Sequence, residues 1–512
     1  MLHKLRSYGF NARIFEKAPH IGGTWYWNKY PGARCDTESL QYSYQFSEEL
    51  QQEWEWSEKY ATQPEILKYL KHVEKKFKLS ESITLNRTIT DIIYDGKAGL
   101  YKIRSNHSEE YYSKFCILAS GCLSVPIKPN IMGVENFTGE IFQTSKWPDK
   151  NIDFNNKNVA IIGTGSSGVH VIPIIAEYCK KLFVLQRTPN YAVPAHNRKL
   201  SDEYVKKFKD NYKVNREKAK KLVSGFLTHY NSASALEVND SELKREYDKR
   251  WEAGGLAFLA AFCDITYNKS ANKTATDYIE SKIKEIVEDQ KIAKLLTPNS
   301  IVGCKRLVID SNYYATYNRK NVALIDINQE PIKTLTEKTL KLKNIELDID
   351  TLILSTGFDA MTGAINNINI VGENSKTLKD KWSSGPSSYL GLMVNGFPNL
   401  FTITGPGSPS VLTNMIPTIE QHVDWIAECI RYMKKRSYYS IEANLEAERS
   451  WVKFNEDSAR NTLRYECKSW YLGSNVKDKQ RIFLPFVGGL PAYIKKCEEI
   501  VKNSYEGFRF SN

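Results

Sequence analysis

The sequence predicts an α/β protein with parallel sheets, and three features of the chain support that class. Five short apolar runs, several of them followed directly by glycine or serine, are typical of strands covered on both faces. Stretches of helical length and pattern separate these runs. The 512 residues, 41% hydrophobic and 25% charged, are ordinary for a globular chain of several domains. The predicted strands are residues 13–16, 115–119, 158–162, 182–185 and 351–354.

The predicted helices indicate how the chain is divided into domains. Residues 64–77 have the apolar spacing of an amphipathic helix, and residues 419–435 and 491–502 are predicted to be further helices. From about 200 to 296 the chain is charged and carries few strand signals, which predicts a helical insertion. We expect a first domain over 1–127, a second over 128–350 that contains the insertion, and a return to the first domain over 351–512.

Composition and charge exclude several classes of protein. The 71 Lys and Arg against 59 Asp and Glu give a net charge of +12, but the lysines are scattered, so we expect no nucleic-acid partner; a modest positive field suits a phosphate-bearing ligand. The nine cysteines include no CxxC pair, so no metal site is expected. The longest apolar run, 256–263, is far shorter than the ~20 residues of a membrane span. Since the start resembles no signal peptide, we expect a soluble, cytoplasmic protein without a membrane span.

A glycine-rich loop follows the predicted strand 158–162 and precedes a helix, which is the setting of a GxGxxG phosphate loop. The first glycine permits a tight turn, the second lets the backbone approach a pyrophosphate, and the third allows close packing of helix on strand. The N-terminus of the following helix favours the anion. These features predict a Rossmann-like, dinucleotide-binding domain. The loop residues are Gly163, Thr164, Gly165, Ser166, Ser167 and Gly168.

The end of the next predicted strand indicates which dinucleotide is bound. NAD-binding units usually place an acidic residue there, whereas strand 182–185 is followed by Gln186, Arg187 and Thr188. An arginine at this position suits the 2′-phosphate of NADP, so we predict NADP with Arg187 and Thr188 among its contacts. The alternative is an exposed basic residue of no special role at a strand end.

The N-terminal residues have the pattern of the second half of a βαβ unit. Residues 1–9 are predicted to form a helix with a glycine cap, and the strand after it ends in Glu16. Glu16 stands where an acid would bind an adenosine ribose. The first strand of this unit and its glycine-rich loop are not in the chain, so we expect this site to hold its dinucleotide weakly.

Residues 22–36, GGTWYWNKYPGARCD, resemble the flavin-side fingerprint of the Baeyer–Villiger monooxygenases, which are class B flavoprotein monooxygenases. The resemblance covers essentially the whole chain and implies two Rossmann-like domains, one for FAD and one for NADP. One position departs from the family linker motif, because Gln143 replaces its histidine; glutamine can hydrogen-bond but cannot carry charge. Further matches, in family order, are Phe137, Gly139, Trp147 and Pro148, then 303–306 (GCKR), 356–359 (TGFD) and 405–409 (GPGSP).

The resemblance implies a chemistry as well as a fold. NADPH reduces the flavin, the reduced flavin takes up O2 to form a C4a-peroxyflavin, and attack on a small-molecule ketone gives an ester or lactone. Arg306 is implied to be the permanent cation beside the flavin, with Asp36 as its carboxylate partner. Lys305 would join Arg187 on the NADP 2′-phosphate. From spacing alone, a solvated basic pair would be the better interpretation of residues 305 and 306.

The resemblance implies further residues that contact the cofactors. Three aromatic side chains shortly after the Gly-Gly pair suit a wall for the isoalloxazine ring, with core packing as the alternative. Met415 matches a loop that lines the flavin and ketone pocket, and Trp470 lies in the segment that orders over NADP; core packing is the alternative for both. The FAD-side positions are Thr24, Trp25, Tyr26, Trp27, Arg34, Cys35, Tyr42 and Ile89.

Two other functions remain open at this point. A related flavin monooxygenase could oxygenate nitrogen or sulfur, but that reaction needs a protonated peroxide, and the retention of Arg306 and Asp36 argues against it. The second is an NADP-binding remnant that no longer holds FAD, which a missing glycine-rich loop would favour. The motifs specify neither the particular ketone nor the oligomeric state.

Overall fold

Strands and helices alternate along the chain as the apolar runs predict. The computed structural model describes residues 1–477 and 479–512. The strands are β1 (Ile14–Phe15), β2 (Ile83–Thr84), β3 (Ile89–Asp95), β4 (Leu100–Ser105), β5 (Glu110–Ser113), β6 (Cys116–Leu118), β7 (Glu140–Gln143), β8 (Asn158–Ile162), β9 (Lys181–Gln186), β10 (Ala192–Pro194), β11 (Val308–Asp310), β12 (Val322–Asp326), β13 (Ile332–Leu335), β14 (Thr339–Leu342), β15 (Glu346–Asp348), β16 (Thr351–Leu354), β17 (Asn369–Val371), β18 (Leu400–Thr402), β19 (Ser440–Ala443) and β20 (Phe508–Ser511).

The helices include short ones at the cofactor loops and long ones that cover the sheets. The α-helices are α1 (Leu2–Ser7), α2 (Thr24–Trp27), α3 (Glu48–Glu53), α4 (Gln63–Lys76), α5 (Ser166–Tyr178), α6 (Asp202–Asp210), α7 (Tyr212–Lys220), α8 (Asp240–Ala253), α9 (Lys269–Ile286), α10 (Gln290–Leu296), α11 (Tyr313–Thr316), α12 (Gly363–Asn366), α13 (Leu378–Lys381), α14 (Met415–Lys435), α15 (Leu445–Arg460) and α16 (Gly489–Lys502). Single 3-10 turns lie at Ser80–Ser82, Val134–Asn136, Leu256–Ala260, Glu373–Ser375, Ser410–Leu412, Leu463–Glu466 and Trp470–Leu472.

The predicted NADP side is built on a five-stranded parallel sheet in the order β12-β9-β8-β16-β7. Its strands are continuous apolar runs because α5 and other elements cover them; Val159, Ala160 and Ile161 are fully buried. The predicted domain boundary at 350 stays a prediction. Because strand β16 pairs with β8 and β7, we propose that this domain extends to Leu354. A local apolar run does not specify which sheet it joins.

Five helices, α6 to α10, occupy the stretch for which the charge pattern predicts a helical insertion. Several begin at polar caps: the Ser201 hydroxyl and the Asn239 amide oxygen each accept a backbone N–H of their helix, at 3.3 and 3.0 Å. Because β9 before it and β12 after it belong to one sheet, we propose this insertion as part of the NADP domain.

The predicted FAD side is assembled from both ends of the chain. Strands β1 and β2 form one parallel pair, and β6 and β18 form another. Strand β17 adds to the antiparallel strands β3, β4 and β5, so the chain after 366 returns to its first part. These long-range pairings support the proposal that 1–127 and the C-terminal residues share a domain. Across residues 1–477 and 479–512, no helix combines the length and apolarity that crossing a bilayer needs.

His422 makes the core sensitive to acid. Its side chain is 0% exposed, and Nδ1 accepts the Thr404 amide at 2.9 Å. Burial lowers the pKa of His422 to about 3. An unfolded histidine takes up its proton near pH 6.5, so this residue contributes stability above pH 6.5 that is lost as pH falls toward 3. We expect the free energy of unfolding to fall by up to ~1.4 kcal/mol per pH unit from this residue alone.

Urea unfolding at pH 7.5, 6 and 5 measures this slope. The variant His422→Gln keeps a hydrogen-bond acceptor but does not titrate, so its stability should fall less steeply below pH 6.5. His107→Gln, at an exposed position, is the matched control and should follow the wild-type slope. Equal slopes for His422→Gln and the wild type would show that His422 does not cause the acid sensitivity.

Candidate active site

The predicted ion pair between Arg306 and Asp36 is present and bidentate. Arg306 Nε donates to Asp36 Oδ2 at 2.5 Å, and Nη2 donates to Asp36 Oδ1 at 2.9 Å. Nη1 donates to the Val411 carbonyl at 2.8 Å. The pair is partly buried, with 22% and 25% of the two side chains exposed. Three distant segments therefore fix one guanidinium group: the 22–36 fingerprint, the GCKR motif and the Ser410–Leu412 turn.

The surroundings of Arg306 keep it charged. Burial alone would lower its pKa, but the negative charge and hydrogen bonds of Asp36 outweigh burial and raise the pKa above the ordinary arginine value. Tyr471 lies within electrostatic reach, and burial raises the pKa of this phenol although Arg306 opposes the shift. The site thus holds a permanent cation beside a protonated phenol.

The phosphate loop has the geometry that its three glycines predict. Gly163 has a φ of +107°, and a Cβ there would lie 2.3 Å from the Ser355 carbonyl oxygen. A Cβ at Gly168 would lie 2.3 Å from the Gly163 carbonyl oxygen, so helix and turn are in close contact. At Gly165, by contrast, a Cβ would meet nothing within 4 Å. The open side of the loop is therefore at Gly165, where α5 begins without a side-chain cap.

Arg187 and Lys305 are the two cations predicted at the NADP phosphate. Burial lowers the pKa of Lys305, and the positive charge of Arg187 lowers it further. Within residues 1–477 and 479–512, no carboxylate lies within 4.0 Å of either group. The Thr164 hydroxyl donates to the Thr188 carbonyl at 3.2 Å, which links the phosphate loop to the end of β9 that precedes Arg187. Two cations without a carboxylate partner suit the extra phosphate of NADP.

The flavin-side fingerprint forms a small aromatic wall. Gly22 has a φ of +128° and leads into α2, which carries Thr24, Trp25, Tyr26 and Trp27. Trp25 Nε1 donates to the Tyr42 hydroxyl at 3.2 Å, and the two rings meet edge to face at 5.9 Å. The four side chains of α2 range from exposed (Thr24) to buried (Tyr26), so the segment is only partly core.

This fingerprint packs directly on the first turns of α5. Gly32 has a φ of +81°, and a Cβ there would lie 2.4 Å from the His170 carbonyl oxygen. Burial raises the pKa of Tyr30 to about 12, and Ser167 of the phosphate loop opposes the shift. Trp147 of the linker motif donates its amide to the Trp27 carbonyl at 3.4 Å. The two predicted cofactor loops are therefore neighbours across one domain interface.

Comparison with known proteins places the chain in a family. A family model described as pyridine nucleotide-disulphide oxidoreductase matches residues 4–242. The chain is 40% identical to the cyclohexanone 1,2-monooxygenase of Acinetobacter sp, over 97% of this chain and 91% of that protein. The chain belongs to the Baeyer–Villiger monooxygenases. The family that the motifs resemble and the enzyme class that it implies are confirmed.

Solved structures of Baeyer–Villiger relatives confirm the fold prediction. An oxidised steroid monooxygenase bound to NADP superposes with a TM-score of 0.96 at 44% identity, covering 100% of this chain and 96% of that chain. The protein OTEMO, in complex with FAD and NADP, gives a TM-score of 0.96 at 35% identity, with the same coverage. The α/β fold with two Rossmann-like domains and the predicted pair of cofactors agree with these neighbours.

One relative of similar closeness is named for a different reaction. The phenazine N-monooxygenase of Lysobacter antibioticus is 37% identical over 99% of this chain and 94% of that protein. A protein named for oxidation of nitrogen is therefore about as similar to this chain as the relatives named for oxidation of ketones. The side chains of the active site, and not overall similarity, must decide between the two reactions.

The remaining predicted residues lie in three places. Glu16 Oε1 accepts the Ala18 amide at 2.8 Å. Ile89 lies two residues after Arg87, whose amide donates to the Glu16 carbonyl, so both predicted residues belong to the same part of the fold. Arg34 Nη1 is directed to Glu58 and to the Tyr60 carbonyl, both at 3.4 Å. The Cys35 thiol is buried, and burial raises its pKa, so it stays protonated. Met415 and Trp470 pack against one apolar cluster with Val411, Tyr471 and Phe483.

Gln143 retains a linking role without a charge. It ends β7, and its Nε2 donates to the Ile127 carbonyl at 3.3 Å. The Thr356 hydroxyl donates to the same carbonyl at 2.5 Å. Because Gln143 and Thr356 donate to the same carbonyl, Ile127 links the end of β7 to the TGFD motif. This contact agrees with the expectation that glutamine can still hydrogen-bond at the family's histidine position.

Three contributors to the site carry no signal in the sequence. The Val411 carbonyl is a backbone group and can belong to any residue type. Tyr471 and His170 reach the site only through tertiary packing; His170 Nε2 lies 3.2 Å from the Ile309 carbonyl. Burial lowers the pKa of His170 to about 4, so this side chain of α5 is neutral.

The contrast between Gly165 and Gly168 gives a matched pair of variants. Gly165→Ala adds a methyl group to open space, so the fold should keep wild-type stability while NADP affinity falls about tenfold or more. Gly168→Ala overlaps the Gly163 carbonyl and should cost ~1–3 kcal/mol of unfolding free energy. Thermal unfolding and NADP titration by calorimetry measure the two effects. Destabilisation by Gly165→Ala would show that its space is not open.

Proposed function

We propose that this Baeyer–Villiger monooxygenase uses NADPH and O2 to convert a small-molecule ketone into an ester or lactone. The observation that carries the proposal is the bidentate Arg306–Asp36 pair, fixed where the flavin-side fingerprint meets the NADP-side motif. In the proposed reaction, ketone, O2, NADPH and a proton give ester, water and NADP. One oxygen atom is inserted beside the carbonyl carbon, and the other is reduced to water.

The residues present include groups that would contact each cofactor. Gly165 leaves room for a pyrophosphate at the N-terminus of α5, and Arg187 with Lys305 would hold the NADP 2′-phosphate. On the other side, Glu16 would hold the adenosine ribose of FAD, and Trp25 with Tyr42 would flank its ring. When bound, the flavin supplies the chemistry of accepting hydride and activating O2.

Arg306 would act electrostatically on the ketone. When an oxygen nucleophile adds to a carbonyl carbon, negative charge develops on the carbonyl oxygen. A fixed cation that need not reorganise stabilises such charge, most strongly where water is excluded. Asp36 holds the guanidinium by two hydrogen bonds, which prevents it from rotating away. The Val411 carbonyl fixes the third edge of the same group.

The apolar cluster beside Arg306 would supply a dry place for the ketone. Met415, Trp470 and Leu412 are partly buried against Val411, Tyr471 and Phe483. The Tyr471 phenol in this cluster lies within electrostatic reach of the cation, stays protonated and can donate a hydrogen bond to a carbonyl oxygen. Exclusion of water strengthens the effect of the cation on a bound carbonyl.

Conversion of cyclohexanone in 18O2 tests the proposal. The protein is loaded with FAD, its flavin content is measured by absorbance, and NADPH, cyclohexanone and 18O2 are added. We expect one labelled oxygen in the lactone and one in water. Consumption of NADPH without lactone, from any ketone in a panel of linear and cyclic compounds, would overturn the proposal. Failure to bind FAD at all would favour the NADP-binding remnant.

Oxygenation of nitrogen or sulfur is the second candidate, and the similarity to a phenazine N-monooxygenase supports it. Such a reaction needs an electrophilic, protonated oxygen donor and no cation on a carbonyl. The same FAD-loaded protein, given phenazine or thioanisole in place of the ketone, tests it. Turnover of these compounds with no conversion of any ketone would favour this second function.

We also propose that the protein works in the cytoplasm. All nine cysteines are free thiols, and eight of them are buried in the core, as in proteins of reducing compartments. Fractionation of the source cells, followed by detection of the protein with an antibody, tests the location. Recovery in a secreted or membrane fraction would contradict it.

A further inference from the structure

Arg216 is a buried cation on α7 of the helical insertion, outside the site described above. The residue is 7% exposed, and its guanidinium lies 4.9 Å from the centre of the Tyr212 ring. Nη1 donates to the Gln41 carbonyl at 3.0 Å and Nη2 to the Ser43 hydroxyl at 2.6 Å. In the part of the chain that the structure describes, no carboxylate lies within 4.0 Å of it. Burying a guanidinium without an ion pair costs folding free energy, so the hydrogen bonds that Arg216 makes instead indicate a specific role.

Nε of Arg216 also donates to Gln51 Oε1 at 3.4 Å. The bond from Arg216 to Gln41 belongs to a node that joins three segments. The Gln41 carbonyl also accepts the Asn414 side-chain amide at 2.9 Å. Gln41 Oε1 accepts the backbone N–H of Leu227 at 2.5 Å, and the backbone N–H of Asn414 donates to the Ser224 carbonyl at 2.8 Å. The insertion, the flavin-side segment and the start of α14 are therefore held to one another through Gln41.

The node lies one residue from each of two predicted site residues, the flavin contact Tyr42 and the pocket residue Met415. Tyr42, which accepts the Trp25 indole N–H, follows Gln41, and Met415, in the apolar cluster, follows Asn414. Glu420 of α14 accepts the Gln45 and Phe46 amides at 2.6 and 3.1 Å. Arg216 thus contacts one end of residues 41–46, at Gln41 and Ser43. Asn414, which caps α14, contacts the same end, and Glu420 of α14 contacts the other end. Movement of Gln41 would move Tyr42 and Met415 relative to each other.

We propose that Arg216 is a positioning residue that sets the spacing of Tyr42 and Met415, and with it the size of ketone that the pocket accepts. Its fork of donors spans the Gln41 carbonyl and the Ser43 hydroxyl in one rigid plane. Lysine would keep the charge but reach one acceptor at a time, and methionine would keep only the volume. The effect on ketone size rests on the proposed function. The effect on the mobility of residues 38–46 and 413–418 does not.

Hydrogen–deuterium exchange and steady-state kinetics of the FAD-loaded protein test this role. The variants are Arg216→Met, Arg216→Lys and the control Arg245→Met, whose arginine is 75% exposed on α8. We expect Arg216→Met to speed amide exchange in residues 38–46 and 413–418. For the larger of two ketones, cyclohexanone against acetone, its KM should rise about tenfold with little change in kcat. Arg216→Lys should recover part of both effects, and Arg245→Met should match the wild type.

Other outcomes overturn the inference. Wild-type exchange in 38–46 and 413–418 for Arg216→Met would show that the arginine does not hold these segments. Faster exchange across the whole protein, with equal loss on both ketones, would show a merely structural role. If the wild type converts no ketone, the proposed function fails, while the exchange measurement still decides whether Arg216 positions the two segments.

Discussion

Replacing Arg306 with alanine is expected to abolish ester formation and to leave reduction of the bound flavin by NADPH largely intact. Removing one preorganised charge that stabilises a developing oxyanion typically costs ~10²–10³ in rate. Here the loss also leaves Asp36 without its partner, in a site where only 25% of that side chain is exposed. Hydride transfer to the flavin develops no charge on the ketone, so it should not depend on Arg306 in the same way.

Two measurements on one preparation separate these steps. Loss of flavin absorbance on adding NADPH without oxygen follows reduction, and ester yield in air follows oxygen insertion. Asp36→Asn keeps one acceptor for the guanidinium and should give an intermediate loss. Arg319→Ala, at an exposed position, is the control and should match the wild type. Near wild-type conversion of a ketone by Arg306→Ala would show that this residue has another role, and nitrogen or sulfur oxidation would become the better proposal.

Local sequence patterns were sufficient to predict the elements that carry the NADP loop. The GxGxxG spacing predicts the turn and the start of the helix, because both depend on residues 158–178 alone. The close approach of Gly163 to the Ser355 carbonyl is a long-range contact that the spacing does not specify. Helix starts are less secure. α14 begins at Met415, four residues before the predicted start, because Asn414 caps it and accepts the Ile416 amide at 3.3 Å. Partner strands were not predictable either, as β16 shows, since pairing is decided by the rest of the sheet.

The site was predictable only where the family resemblance supplied long-range pairing. Asp36 and Arg306 are 270 residues apart, and their spacing carries no information about contact. Arg216 gave no signal in the sequence: one arginine in a charged helical stretch is expected to be solvated, and its burial depends on Gln41 and Ser43, more than 170 residues away along the chain. Such contacts arise from the packing of complete domains, which a single sequence does not specify.

The second large effect concerns the choice of nicotinamide cofactor. The wild type should use NADPH in preference to NADH, because Arg187 follows the strand after the phosphate loop and neither it nor Lys305 has a carboxylate partner within 4.0 Å in the described residues. A charge-assisted contact to a phosphate contributes ~1.5–3 kcal/mol, which is roughly tenfold to more than a hundredfold in affinity. Arg187→Ala should therefore raise the KM for NADPH by about that factor and leave the KM for NADH nearly unchanged.

Rates of cofactor oxidation with each nucleotide, at fixed ionic strength, measure this preference. Lys305→Ala should act in the same direction, but it adjoins Arg306, so Arg187→Ala is the cleaner variant. Lys180→Ala removes an exposed charge just before the other end of β9 and controls for the general positive field of the protein. Because NADH lacks the 2′-phosphate, only a direct contact makes the loss specific to NADPH. Equal use of the two nucleotides by the wild type would show that Arg187 and Lys305 do not bind the 2′-phosphate. An equal rise in KM for both nucleotides in Arg187→Ala would show the same.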